Sequence, residues 1–77
     1  MLISEVEEIM TNLTEKEFEV LKYLVKGYEN REIAKNIFMS TFTVKAHVTS
    51  IMRKFGVTNR TEAAYHALKN NIVTFEE

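Results

Sequence analysis

Proline is absent from these 77 residues, and glycine occurs only twice, at Gly27 and Gly56. A chain with so few breakers, whose apolar residues recur every three or four positions, is committed to helices joined by short turns. Both glycines fall just beyond an apolar stripe, where a helix end favours a left-handed residue. The length suits one domain with a modest core, not a second domain or a deep catalytic cleft. There is no cysteine, hence no disulfide framework and no thiolate zinc site. The apolar runs are too short to span a bilayer, and no basic segment precedes a hydrophobic region near the N-terminus. A soluble, cytoplasmic protein without membrane contact is the expectation.

The stripes divide the chain. Residues 1–12 read as an N-terminal segment or linker, and 13–77 as the domain. Leu2, Ile3, Val6, Ile9 and Met10 predict a short extra helix over 2–10, which must dock on something to persist. Thr14 and Glu17 have capping-box spacing, and the helix they open buries Phe18, Leu21, Leu24 and Val25 before Gly27 ends it. A helix over about 31–38 turns Ile33, Ala34, Ile37 and Phe38 inward. After the turn at Met39 and Ser40, a helix over about 41–55 carries Val44, Val48, Ile51, Met52 and Phe55 on one face, and Gly56 stops it. Thr58 or Asn59 caps a last helix over about 60–70. Ile72, Val73 and Phe75 form an apolar tail able to fold back on the core.

Charge is distributed as unevenly as the breakers. The chain carries 11 acids and a net charge of -1, yet no Asp or Glu occurs between Ile33 and Thr61. That stretch holds Lys35, Lys45, Arg53, Lys54 and Arg60. A uniformly positive block on a nearly neutral protein is the footprint of phosphate contact, or else a solvated surface. At about 100° per residue, Ala46 and Arg53 lie nearly opposite the core stripe of helix 41–55. Phe42, Thr49 and Ser50 flank them, and Lys45 lies at the edge. A face of small, hydroxyl and cationic side chains without an acid can enter a DNA major groove.

Two short helices joined by a tight turn, the second with such a face, describe a helix-turn-helix, with 31–38 as scaffold helix and 41–55 as recognition helix. The residues sharpen this. Leu13-Thr14-Glu15-Lys16-Glu17-Phe18-Glu19-Val20-Leu21 resembles the opening of the LuxR/GerE-type DNA-binding domain. Asn30 to Ala34, Phe38-Met39-Ser40, Thr43 to Val48, Arg53 to Val57 and Asn59 to Ala63 are similar to its later motifs, in the same order and spacing. The resemblance covers about residues 13–73. It implies an all-α, four-helix domain that binds double-stranded DNA as a dimer and regulates bacterial transcription; for want of a nucleophile–base pair, metal cluster or phosphate loop, neither an enzyme nor a cofactor is expected. It implies that Lys45, Ala46 and Thr49 point at bases, and that Thr43, Arg53 and Lys54 lie near phosphates. The helix over 60–70 commonly forms the dimer contact.

The chain departs from the pattern in two places. Glu29 stands where a Ser or Thr cap is usual, so Asn30 could cap the scaffold helix one residue later. Thr41-Phe42 replaces the common Glu-Lys pair, and an exposed Phe42 could touch a thymine methyl or pack on protein. Arg31 is expected to help at the phosphates. His47 is expected to pack or to touch a phosphate. With no Asp in the chain and only His66 besides, a catalytic or metal-binding pair of histidines is not expected. Thr43 could serve the backbone instead of DNA. Thr61, Tyr65 and Leu68, at i, i+4 and i+7, read as a dimer seam, with Ala63 and Ala67 turned to the core. An upstream receiver or sensor domain is a further expected partner. The competing function is a protein-interaction module of the same fold, sequestering a regulatory partner through Phe42 and the N-terminal helix.

Overall fold

The computed structural model describes residues 12–75. Four helices follow one another, with no strand among the described residues: α1 (Glu15–Leu24), α2 (Asn30–Ile37), α3 (Thr41–Phe55) and α4 (Arg60–Lys69). The helix expected over 2–10 lies outside the described residues.

Local chemistry sets the helix starts. The Thr14 hydroxyl accepts the Glu17 N–H at 3.1 Å, and the Glu17 carboxylate accepts the Thr14 N–H at 2.9 Å, closing the capping box. Ser40 accepts the Thr43 N–H at 3.0 Å at the head of α3. Asn59, rather than Thr58, caps α4 by accepting the Glu62 N–H at 2.8 Å. At α2 the N-cap is Glu29, whose N–H donates to the Glu32 carboxylate at 2.9 Å. Asn30 does not take over the cap, because its side chain is engaged by Arg60.

The helix ends bring one correction. Gly27 (φ 84°) and Gly56 (φ 70°) adopt the left-handed backbone after α1 and α3, as expected of them. The same conformation ends α2, but at Phe38 (φ 57°). There the Met39 N–H returns to the Ala34 carbonyl at 3.0 Å. Phe38 was expected on the inner face and is instead 95% exposed. The left-handed turn takes its side chain off the inward stripe, and Met39 packs on the core in its place.

α3 is the central element, packed against α1, α2 and α4. Leu21, Ile33, Ile51, Val20 and Val44 are fully buried. Truncating Ile51 to alanine would cost about 2–5 kcal/mol in lost transfer energy and cavity formation. Phe18 is only half-buried, and Val20 holds the deeper place on α1. Ala63 and Ala67 are fully buried, so the deepest contacts of α4 with the core are methyl groups. The tail returns in part: Ile72 and Val73 are buried, whereas Phe75 is exposed.

Candidate nucleic-acid interface

Packing on three neighbours leaves one side of α3 uncovered. Val44, Val48, Ile51 and Phe55 are buried on the inner side, while Phe42, Lys45, Ala46, Thr49 and Arg53 are exposed on the other. Phe42, Lys45, Ala46, Thr49, Ser50 and Arg53 line one shallow depression of about 350 Å³. The face expected to meet bases is thus continuous. α3 has no acid in its first turn, and neither Lys45 nor Arg53 pairs with an acid among the described residues. Arg31 and Lys35 are exposed on α2, adjoining the same positive region in sequence.

The flank towards α1 is different. Glu17 is 3% exposed, the one buried charged residue among the described residues. Its Oε1 accepts from the Lys54 ammonium at 2.6 Å, and its Oε2 accepts from the Ser50 hydroxyl at 2.6 Å. Lys54 also donates to the Asn12 carbonyl at 2.7 Å. Burial alone would raise the Glu17 carboxyl, but bonds from Lys54, Ser50 and the Thr14 N–H outweigh it and hold the group below its ordinary value. Lys54, grouped in sequence with Arg53 at the phosphates, therefore belongs to a structural pair. Ser50, read as outward-facing, spends its proton inward. Arg60 is likewise committed, donating to the Asn30 carboxamide at 2.8 Å and to the Tyr28 carbonyl at 2.6 Å. It ties the head of α4 to the connection between α1 and α2. Of the five cations in the acid-free block, Lys45, Arg53 and Lys35 pair with no acid among the described residues.

Sequence reasoning missed both of these networks. Part of the signal was present for Lys54, because nine residues separate it from Lys45, about half a turn around the helix axis. The two lysines cannot share a face. Nothing local marks Glu17 as more than a capping residue.

The remaining candidates fall at the edges. Thr43 is half-buried, and its hydroxyl oxygen accepts from Ser40 at 2.9 Å. His47 is half-buried on the same flank. On α4, Thr61 is exposed and Tyr65 is 65% exposed, with the Lys69 ammonium 5.8 Å from its ring centroid. Leu68 departs from the expected seam, since it is half-buried and packs partly on the core of its own chain. His66 stacks on Phe55 with ring centroids 4.8 Å apart. Among the described residues no three metal-ligating side chains converge, and no helix is long and apolar enough to cross a membrane.

The sequence pattern of the bacterial regulatory proteins of the luxR family matches residues 11–67, which contain all four helices up to the last turn of α4. The chain belongs to the luxR family. Its α2–α3 pair is the helix-turn-helix of a luxR-type domain, a regulatory DNA-binding fold and not a catalytic one. Among similar proteins is the oxygen regulatory protein NreC of Staphylococcus aureus strains JH9 and JH1, 43% identical over 63 residues. That match covers 82% of this chain and 29% of NreC. A similar solved structure is the crystal structure of ChrA, a response regulator of a heme-sensing two-component system. It agrees with a TM-score of 0.75 at 39% identity, covering 79% of this chain and 30% of ChrA. The chain thus spans under a third of the length of these relatives.

Proposed function

We propose that this chain binds specific double-stranded DNA sites to regulate bacterial transcription in the cytoplasm, with α3 in the major groove. The observation that carries the reading is the uncovered, acid-free side of α3. Lys45, Ala46, Thr49 and Phe42 face bases. Arg53 and Arg31 meet phosphates, with Thr43 and His47 at the flank. Lys54 supports this surface from behind through Glu17 and is not counted among the phosphate contacts. Two copies associate through α4, with Tyr65 and Thr61 at the seam and Leu68 at its inner edge. Such a pair would set two recognition helices about 34 Å apart, one turn of DNA. Residues 1–12 lead from an upstream receiver domain, a proposal supported by the length of the response-regulator relatives.

The test is binding to short duplexes across a salt titration. Affinity should fall steeply and linearly on logarithmic axes as phosphates release counterions. An affinity indifferent to salt would remove DNA as the partner. It would favour the second reading, a protein-interaction module, for which the exposed aromatics Phe38 and Phe42 are the supporting observation.

A further inference from the structure

Resting on the DNA-binding reading above, the composition of the uncovered strip allows the bases it reads to be named. Phe42, Ala46, Thr49 and Arg53 lie at i, i+4, i+7 and i+11, within an arc of about 60°. In the major groove, adenine is read by Asn or Gln, cytosine by Asp or Glu, and guanine by Arg or Lys. Thymine alone offers an apolar group, its C5-methyl, which suits Ala, Phe and the methyl of Thr. Between Ile37 and Gly56 there is no Asn, Gln, Asp or Glu. The usual readers of adenine and cytosine are therefore missing from α3.

Two of the hydroxyls that could compensate are occupied. Ser50 donates to Glu17, and Ser40 donates to Thr43. Hydrogen bonding on the outer face is left to Lys45, Thr49 and Arg53. Between them lie Phe42, 82% exposed, and Ala46, also exposed, in a depression that no other described residue covers. A solvated aromatic at the head of a groove-entering helix gains from an apolar cover, and the apolar group that the major groove offers is the thymine methyl.

We propose that α3 recognises thymines through their C5-methyl groups, with Phe42 and Ala46 as the principal readers and Thr49 as the third. Phe42 and Thr49 are seven residues apart, about 10 Å along the helix and so about three base-pair steps. Lys45, at the edge, supplies the guanine contact beside them. The half-site is thus a short thymine-bearing run next to a G·C pair.

The experiment starts by selecting bound duplexes from a randomised pool with the 77-residue chain. Each thymine of the recovered site is then replaced singly by deoxyuridine, which pairs identically and lacks only the methyl. Equilibrium affinity should fall about fourfold for each methyl that meets Phe42 or Ala46, the worth of one buried methyl-sized group. Phe42→Ala should cost a similar factor and abolish the response to one of those replacements. Its circular dichroism should be unchanged, since the ring is exposed. Deoxyuridine at every thymine without effect, or equal loss by Phe42→Ala on methylated and unmethylated sites, overturns the thymine reading. Tight binding with no recovered consensus overturns it too while leaving DNA affinity standing. Binding to no duplex at all overturns both readings.

Discussion

Lys45 and Lys54 are the same side chain on the same helix, and they have opposite employments. Lys45 is exposed with no acid paired to it among the described residues, in a strip with Phe42, Ala46 and Thr49. Lys54 is held at 2.6 Å by a buried carboxylate and reaches a backbone carbonyl as well. One side of α3 is left open by the described residues, and the other is already covered. A block of positive charge in sequence therefore overstates the positive charge available to a ligand. What a cation does depends on which way the helix turns it and on whether an acid waits there.

The largest expected effect tests the free side. Lys45→Glu should weaken specific DNA binding by about 100-fold or more, through loss of a base contact and repulsion by phosphates. Its unfolding free energy from a denaturant series should match that of the parent within about 0.5 kcal/mol. A destabilised Lys45→Glu protein would erase the contrast between the two lysines.

Next comes the committed side. Glu17→Ala should cost about 2–3 kcal/mol in a urea unfolding series, because it removes a helix cap and leaves Lys54 and Ser50 without their acceptor. The same pair predicts acid sensitivity. The folded Glu17 carboxyl is held below its ordinary value, so its contribution is complete above the ordinary carboxylate range. That contribution is lost as pH falls through that range towards the lower folded value. Parent and Glu17→Gln should differ in stability at neutral pH and converge in acid. A gap that persists at low pH would mean that packing, not ionisation, is at stake.

Salt dependence separates neighbours on one helix. Arg53→Ala should lower the slope of log affinity against log salt by about one, whereas Lys54→Ala should leave the slope nearly unchanged. Equal slopes for the two variants would return Lys54 to the phosphate set.

The smallest effect is at Phe38. Glycine there should stabilise the domain by about 0.5–1 kcal/mol, read as a rise in thermal midpoint. The left-handed backbone strains a side chain that buries almost nothing in return. A loss of stability would show that the phenyl ring packs in solution.

Features set by a few adjacent residues were legible in the sequence. Thr14, Ser40 and Gly56 announce helix boundaries because caps act over three or four residues, and the core stripe of α3 follows from its period. Phe38 was misread because the apolar period says nothing about where a left-handed residue interrupts it. The commitments of Lys54 and Arg60 were illegible because their partners lie 37 and 30 residues away, and only the packing of α1 and α2 brings them near. The outward strip was readable because it is what packing leaves over.

The bond from Lys54 to the Asn12 carbonyl has a mechanical consequence. The backbone entering the domain is fastened to the C-terminal end of the reading helix before α1 begins. A twist applied to the chain ahead of that residue has two load paths, one through the length of α1 and one through a single ammonium group. The second is shorter. It ends on α3, so a load carried by the backbone at Asn12 reaches that helix without crossing α1.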